Sequence, residues 1–563
     1  MKWYIILSTM YLGFCAAADP TWPSEVDELE EIMFQLTSFR ARQFSDTVSP
    51  CSKEASGPGR QNAAEWLRTA FHDMSTANIA SGTGGLDASI QYELNSDENA
   101  GPGLRTTLES MAPFFSTQTS LSDLIALGVY VSVRSCGGPA VAVRAGRRDA
   151  TERGNPGVPQ AEDSVSDFAR IFEWMGFTHE EAIQVTACGH TLGGVHTAQF
   201  ADIVPPGSTT NGVADLDSST AVFDNKIVTE YLSGNTKNPL VVGPSVKISK
   251  HSDFKLFNSD GNNTMTRMAD NNEFKEVCKV VLQKMIDTVP SGVELSRSIL
   301  PYMVNPVDLQ LTLEDGGSNI LLTGFIRVKT TGDPGGSIES VTVTYKNRQG
   351  HSSCGSTSCS ITATAQGQSR GFDDTFDFFP IAARIPVSSG IYSFVVTVNN
   401  ANGTRTRYDN GGKEYPLRDA IFLQKPQSCL QGSSGALRLV AAVRNGRLSQ
   451  GAKATIFYKV PQSNSPVPAL RTTTLDVARE NCVGDYTFFT VEHKVEGGLA
   501  HESRIDVSNG DMSDSFKNVN DIGDTCRPFS SPPSCNGYIS PRRVGGVVSK
   551  QLRREFSRRD IGS

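Results

Sequence analysis

In the first half of the chain, apolar residues recur at the three- and four-residue spacing that is typical of amphipathic helices. Few glycines interrupt these segments, which predict helices over 26–43, 62–73, 121–134, 164–174 and 270–287. A further helix is predicted from the capping box formed by Thr178 and Glu181, and it runs to about Gly189. The pattern therefore predicts a helical domain that extends to about residue 300.

The pattern changes after Pro306 to short runs of β-branched and aromatic residues. Such runs occupy 341–345, 391–398, 437–443, 454–460 and 485–491, and turn clusters such as 332–336 and 399–403 separate them. We expect a mainly α domain over 24–305, followed by an all-β region of two β-sandwiches over 306–425 and 426–529. The basic tail over 530–563, rich in Ser, Pro and Gly, is expected to be disordered.

The N-terminus has the three regions of a secretory signal: Lys2, an apolar run, and three alanines ending at Ala18. We expect cleavage after Ala18 and a secreted, monomeric protein. No later apolar run approaches the roughly 20 residues that a membrane span needs. Ten of the eleven cysteines remain after cleavage, an even number that suits disulfides in an oxidising compartment. The glycosylation sequons at Asn262 and Asn402 fit the same route.

Composition and charge limit the possible partners. The 563 residues are 38% hydrophobic, enough for several folded cores, and carry 52 Lys and Arg against 60 Asp and Glu. The net charge is −8, and no basic domain precedes the tail. Nucleic acid is therefore not expected as a partner.

Two histidines stand in settings that indicate catalysis. Arg68 and His72 are four residues apart on a predicted helix and therefore share one of its faces, although a salt-bridging surface helix would show the same spacing. His190 follows a small-residue stretch at the end of the capped helix. Two histidines placed in this way indicate a cofactor held between two helices.

With these motifs, the sequence over about 50–290 resembles the haem peroxidase superfamily of plants, fungi and bacteria. The residues that carry the resemblance occur in the family's order: Arg68, Phe71-His72-Asp73, Gly84-Gly85-Leu86-Asp87-Ala88-Ser89, Asn99, Asp123-Leu124-Ile125-Ala126-Leu127, Gly146-Arg147, Gly189-His190-Thr191-Leu192-Gly193, Phe223-Asp224 and Ser259-Asp260. Phe71 before the distal histidine is the pattern of the secreted fungal (ligninolytic) and plant enzymes. The stretches 93–101 and 189–194 look more like the intracellular branch of ascorbate and cytochrome c peroxidases.

The resemblance implies one haem b and assigns roles on both of its sides. His72 would act as general base and then acid on hydrogen peroxide, Arg68 would stabilise the departing oxygen, and Asn99 would hold the His72 tautomer. Phe71 would lie at the haem, and His190 would be the axial iron ligand. Asp260 would accept the other ring hydrogen of His190, although its sequence surroundings also fit a plain turn.

The resemblance also implies two calcium ions, because hard oxygen ligands suit this cation. The distal site would use Asp73, Gly85, Asp87 and Ser89. The proximal site would use the residues Thr191, Asp217, Ser219, Val222 and Asp224. An acidic surface loop is the alternative interpretation of each set.

The positions that relatives use for electron donors differ here. Gln61, Glu65 and His196 stand where manganese-oxidising relatives need three carboxylates, so a manganese site is not expected. The positions of a surface tryptophan, a redox tryptophan and an ascorbate-binding arginine carry Val185, Leu216 and Gln199. The resemblance therefore implies a secreted peroxidase that removes peroxide, as in oxidative stress, and oxidises small, phenolic donors.

The resemblance implies only part of the disulfide pairing. Cys51 with Cys136 matches a bridge of the secreted fungal enzymes, and Cys188 could pair with Cys278. In the β region, nearness in sequence suggests the pairs Cys354 with Cys359, Cys429 with Cys482, and Cys526 with Cys535.

The β region leaves a second hypothesis open for the whole protein. Its aromatic residues are interpreted first as strand cores, and alternatively as a platform for polysaccharide or cell-wall contact. The chain would then be chiefly a wall- or matrix-binding protein whose haem domain has low turnover. The complete set of peroxide-cleaving and axial residues favours the peroxidase.

Overall fold

The computed structural model describes residues 20–529 except 53, 55, 333–336, 355–358, 433 and 498. The predicted signal and the basic tail lie outside the described residues. Within the described part, ten α helices precede the β region: α1 Asp27–Phe34, α2 Asn62–Met74, α3 Gly103–Met111, α4 Leu121–Ser135, α5 Val165–Trp174, α6 His179–His190, α7 Lys226–Ser233, α8 Ser252–Phe257, α9 Asn263–Arg267 and α10 Asn271–Asp287. The predicted capping box at Thr178 begins α6.

The predicted helix over 26–43 is wrong in its second half. Helix α1 ends at Phe34, and Thr37–Ser38 forms a short strand, β1, instead. Ser38, Arg40 and Gln43 have positive φ angles, which a continuing right-handed helix does not allow. Backbone hydrogen bonding to the distant β region therefore overrides the local helical pattern.

Helices α2 and α4 pack closely at the centre of the helical domain. Trp66 of α2 and Met111 of α3 lie against Gly128 of α4, where an added Cβ would come within 2.6 Å of the Met111 side chain. Thirteen of the fifteen residues of α4 are buried, which makes α4 the central helix of this core. The close approach at Gly128 fixes the position of α2, the helix that carries Arg68 and His72.

The first β-sandwich consists of two antiparallel sheets around one core. One sheet has the order β1-β8-β9-β5-β4, and the other has the order β11-β10-β6-β7 with β12 beside β10. A small hairpin in the helical domain supplies β2 and β3. These strands are β2 Gly194–His196, β3 Val213–Asp215, β4 Val304–Leu313, β5 Asn319–Lys329, β6 Ile338–Lys346, β7 Ser360–Ala363, β8 Gly367–Arg370, β9 Thr375–Pro386, β10 Ser393–Asn400, β11 Arg405–Tyr408 and β12 Tyr415–Pro416.

The second β-sandwich pairs a sheet of order β13-β15-β19-β18, with β14 beside β15, against a sheet of order β17-β16-β20-β21. Its strands are β13 Ile421–Leu423, β14 Cys429–Gln431, β15 Ala436–Arg444, β16 Lys453–Val460, β17 Ala469–Asp476, β18 Ala478–Val483, β19 Tyr486–Lys494, β20 Arg504–Asn509 and β21 Met512–Asn518. Of the aromatic residues in the predicted strands of both sandwiches, Phe394, Tyr486, Phe488 and Phe489 are at least 95% buried, as the strand-core interpretation expects. Phe457 and Tyr458 are half-buried and Tyr392 is 42% exposed, so the interpretation does not hold for these three. The predicted fold class, a helical domain followed by an all-β region, is confirmed.

The helical domain and the β region share a hydrophobic core. Val307, Phe376 and Phe378 of the first sandwich pack in the same buried cluster as the helices. Strand β1 pairs with β8, with Thr37 opposite Arg370. The β region thus shares packed contacts with the helical domain and is not merely linked to it by the chain.

Four disulfides link described cysteines. Cys51–Cys136, Cys188–Cys278 and Cys354–Cys359 form as expected, whereas Cys429 pairs with Cys526. The pairings of Cys429 with Cys482 and of Cys526 with Cys535 are therefore wrong. Leu430 bonds to the backbone of Gly523, which brings the segment ending at Cys526 beside β14 despite its distance in sequence. Cys482 is also disulfide-bonded, and Cys535 lies outside the described residues.

Among residues 20–529, apart from the gaps given above, no helix is long and apolar enough to cross a membrane.

Candidate active site

Helix α2 places Arg68 and His72 side by side at a cavity. Trp66, Leu67 and Ala70 pack into the domain core, while Arg68 and His72 face a cavity. Arg68 Nε donates to His72 Nε2 at 3.1 Å, as the four-residue spacing on one helical face allows. The pair therefore lies on the cavity wall and not on the protein surface.

Asn99 fixes the other side of the His72 ring. Its Oδ1 lies 2.7 Å from His72 Nδ1, and its Nδ2 donates to the Glu93 carbonyl at 3.1 Å. Because the amide oxygen can only accept, Nδ1 carries the ring hydrogen and Nε2 keeps its lone pair. Burial and the Arg68 charge outweigh the Asn99 hydrogen bond and lower the pKa of His72 to about 3. His72 is thus a neutral base at neutral pH.

Arg68 is a half-buried cation, and no ion pair joins it to a carboxylate in the described part of the chain. Its Nη2 donates to the Ala100 carbonyl at 3.2 Å, and burial lowers its pKa to about 10, against the opposing effect of Glu65. A positive charge held at the cavity wall favours an anionic ligand or a developing negative charge there.

The opposite wall of the cavity is the end of α6. His190 Nδ1 lies 3.0 Å from Asp253 Oδ2, and Asn238 Nδ2 donates to the same oxygen at 2.7 Å. Asp253 is fully buried at the start of α8. Burial lowers the pKa of His190, but the charge and hydrogen bond of Asp253 outweigh it, so the net pKa is raised. His190 Nε2 makes no hydrogen bond to the described residues and is left to face the cavity.

The expectation that Asp260 holds His190 is wrong. Asp260 Oδ2 instead accepts from the backbone N–H and the hydroxyl of Thr264, at 2.9 and 2.7 Å, and so caps the first turn of α9. The turn interpretation of this residue was correct. The sequence carries a signal for Asp253, because Asp253, Leu256 and Phe257 share one face of a short helix, and an acid on an apolar face is a candidate for a buried role.

The cavity between the two walls has a volume of about 510 Å³, within the usual range for a bound organic ligand. Phe71, Phe172, Leu192, Leu256 and Met285 line it together with the polar groups above. Haem fits this site on three observations: a histidine nitrogen without a hydrogen-bond partner on one wall, a cation without a carboxylate partner on the other, and apolar sides between them. The residues that would hold it are His190 below and Phe71, Arg68 and His72 above.

The positions that relatives use to bind electron donors also line this cavity, but they carry different residue types here. The Glu65 carboxylate is bound by Arg60, so it is not free for a metal ion. Gln61, His196 and Gln199 line the same cavity. Val185 is 2% exposed and Leu216 is 6% exposed, so neither position is at the surface.

The residues of the predicted distal calcium site converge behind His72. Asp73 accepts the backbone N–H groups of Ala88 and Ile90 at 2.7 and 3.0 Å, and Asp87 accepts that of Ser89. Burial and the nearby Asp87 raise the pKa of Asp73 well above its ordinary value. The hydroxyl of Ser89 is buried and has no hydrogen-bond partner in the described structure, and Gly85 lies in the same loop. Calcium at this site stays a prediction.

The proximal set also converges. Ser219 Oγ donates to Asp224 at 2.8 Å and to Asp217 at 3.3 Å, and the Thr191 hydroxyl donates to the Asp224 carbonyl at 2.6 Å. Burial, with the Asp224 charge, raises the pKa of Asp217 to about 7. Val222 is exposed and bonds through its N–H to the Ser219 carbonyl. In the described part of the chain, no three His, Cys, Asp or Glu side chains converge as metal ligands, so backbone and hydroxyl oxygens would have to complete this predicted site.

Comparison with known proteins gives one family match and several matches to individual proteins. A family model described as Peroxidase matches residues 48–279. A WSC domain-containing protein of Arthroderma benhamiae is 44% identical over 536 residues, which cover 94% of this chain and 72% of that protein. L-ascorbate peroxidase 5, peroxisomal, of Arabidopsis thaliana is 29% identical over 179 residues, which cover 31% of this chain and 60% of that protein. The similarity to the plant enzyme thus covers about a third of this chain.

Proposed function

Because the chain belongs to the haem peroxidase family, oxidoreductases that act on peroxide, we propose that it is a secreted enzyme that reduces hydrogen peroxide at the expense of small phenolic donors. The observation that carries this proposal is the cavity with His72, Asn99 and Arg68 on one wall and His190 with Asp253 on the other. A neutral base and a cation on one wall, facing a histidine nitrogen without a hydrogen-bond partner on the other, support peroxide cleavage in this cavity.

Bound haem would supply the iron centre that takes up peroxide and exchanges electrons with donors. His72 Nε2 accepts the proton of one peroxide oxygen and delivers it to the other oxygen, which leaves as water. Asn99 keeps Nδ1 protonated, so that Nε2 stays available for this transfer. Arg68 stabilises the negative charge that develops on the departing oxygen.

On the other wall, Asp253 orients His190 and makes it a stronger ligand. The carboxylate accepts the Nδ1 hydrogen, which leaves Nε2 as the only nitrogen that can bind a metal. Asn238 donates to the same carboxylate oxygen and fixes its position. Asn238 and Asp253 are fully buried, and they hold His190 at the cavity wall.

The class of electron donor is proposed from the residues that relatives use for other donors and that this cavity does not carry. Glu65 is paired with Arg60, and Gln199 and Val185 cannot replace an ascorbate-binding arginine or a surface tryptophan. We expect steady-state assays with hydrogen peroxide to show oxidation of a small phenol such as guaiacol at least about tenfold faster than of ascorbate or Mn²⁺. Faster oxidation of ascorbate or Mn²⁺ than of every phenol tested would contradict the proposed donor class.

The pH dependence of the peroxide reaction follows from the pKa of His72. Since this pKa is lowered to about 3, the base is unprotonated from neutral pH down to about pH 4. We expect the second-order rate constant with peroxide to be flat over that range and to fall below about pH 3, measured by rapid mixing of the haem-loaded protein. An inflection near 6.5, the ordinary value for histidine, would contradict this buried, neutral state.

Secretion is supported by the N-terminal signal pattern and by the disulfides of both halves of the chain. An oxidising compartment forms and preserves such bonds. The phenolic donors and the peroxide would then be met outside the cell.

Calcium is proposed as a stabilising ion at the Asp217 and Asp224 pair. A bound Ca²⁺ would offset the repulsion between two carboxylates, one of which has a pKa raised to about 7. At free calcium about 100 times its Kd, the free energy of unfolding should rise by about 2.7 kcal/mol, and a chelator should reverse the rise. Asp217→Asn should reduce this response in thermal unfolding, whereas the exposed Asp202→Asn should keep it. An equal response of both variants would exclude this site.

A further inference from the structure

The loop that joins β16 to β17, residues 461–468, contacts the helical domain at its distal side. Val467 is 1% exposed and packs in the buried cluster of the helical domain. Ser465 Oγ donates to Gln91 Oε1 at 3.0 Å. Gln91 is itself buried and donates to the Ala88 carbonyl at 3.1 Å. Through Ser465, the second sandwich thus contacts residues 88–93, here named the distal segment, at Gln91.

The distal segment binds Asp73, which follows His72 in the chain, and Asn99, which bonds to the His72 ring. The N–H groups of Ala88 and Ile90 donate to the carboxylate of Asp73, the residue next to His72. The carbonyl of Glu93 accepts from Asn99, whose side chain fixes His72 Nδ1. A displacement of the distal segment would therefore reach His72 by two independent routes.

A second contact from the same sandwich reaches helix α2 indirectly, through the residues that follow α3. Lys459 of β16 is buried, and its Nζ donates to the carbonyls of Ala112 and Pro113 at 2.8 and 3.1 Å. The adjacent Phe114 ring packs edge-on against Phe44, which packs against Trp66 of α2. The Lys459 ammonium also donates to Glu502 of its own sandwich at 2.7 Å, so it joins the second sandwich to two backbone carbonyls of the helical domain.

We propose that the second β-sandwich is a positioning element of the distal site, with Ser465 and Val467 as positioning residues that act through the distal segment on Asn99 and His72. The inference rests on the proposed peroxidase function for its effect on rate, although the contact itself does not. The β region then has a role inside the enzyme, independent of any external ligand.

Hydrogen–deuterium exchange of the full-length protein, with and without haem, tests the contact directly. In the double variant Ser465→Ala, Val467→Ala, the amides of the distal segment should exchange about tenfold faster, because the hydrogen bond to Gln91 and the packing of Val467 are lost. Amides of α6 and α10 should be unchanged. Ser463→Ala, at an exposed position of the same loop, is the matched control, and Val467→Ile should retain slow exchange.

The same haem-loaded variants link the contact to chemistry. The rate constant with peroxide should fall about tenfold in the double variant and stay at the wild-type value in Ser463→Ala. Unchanged exchange in the distal segment would overturn the proposal, and so would faster exchange with an unchanged peroxide rate. Absence of any peroxide reaction in the wild type would instead refute the proposed function, and the exchange experiment would still decide whether the loop orders the segment.

Discussion

Replacement of His72 by alanine should lower the rate constant for the reaction with hydrogen peroxide by about 10³- to 10⁴-fold. His72 carries a lone pair on Nε2, where Arg68 Nε donates at 3.1 Å, because Asn99 holds the ring hydrogen on Nδ1. The variant loses both the acceptance of the peroxide proton and its delivery to the departing oxygen. Arg68 alone can stabilise charge but cannot accept a proton.

The His72→Ala experiment is informative only if haem uptake is preserved. His72 does not provide the axial nitrogen, so the variant should bind haem with the wild-type stoichiometry, as seen in the Soret absorbance. His179→Ala, an exposed histidine bonded to Ser259, is the control and should react with peroxide like the wild type. A loss of less than about tenfold in His72→Ala would mean that another group moves the proton.

Replacement of Arg327 by methionine should lower the free energy of unfolding by about 3–5 kcal/mol. Arg327 of β5 and Glu30 of α1 are both fully buried, with Nη2 at 2.5 and 2.8 Å from the two carboxylate oxygens. Glu30 also accepts from the Tyr302 N–H, and the Arg327 guanidinium lies over the Phe376 ring. Removal of the arginine leaves a buried carboxylate without its cation at the junction of the two domains.

A double-mutant cycle separates this effect from lost packing. Glu30→Gln combined with Arg327→Met should recover a large part of the loss, because no uncompensated charge remains. Arg384→Met, which breaks an exposed pair with Glu314, should change stability by less than about 1 kcal/mol. These values can be read from urea unfolding. An effect of Arg327→Met no larger than that of Arg384→Met would show that the ion pair does not hold the domains together.

The sequence predicted the helices with strong periodicity, the change to an all-β region, and the residues of the distal wall. These depend on local patterns and on motif spacing, which a single chain displays. The strand β1 could not be predicted, because its partner Arg370 lies more than 300 residues away. The same holds for Cys429, whose partner Cys526 is brought close only by pairing of distant segments.

The proximal carboxylate shows a different limit. Asp260 was favoured by its order in the chain, yet it caps α9, while Asp253 on the buried face of α8 reaches His190. The motif match assigned the right residue type, an aspartate, to the wrong position in the chain. Burial, which decides the matter, depends on how α8 packs under α6 and is not encoded in the spacing alone.

Titration of the apoprotein with haemin tests most directly the central claim that His72 and His190 face one haem. The account predicts a Soret absorbance that saturates at one haem per chain, and a His190→Gly variant whose wild-type spectrum returns only when imidazole is added. The absence of haem uptake by the wild type, or an unaltered spectrum in His190→Gly without imidazole, would contradict it.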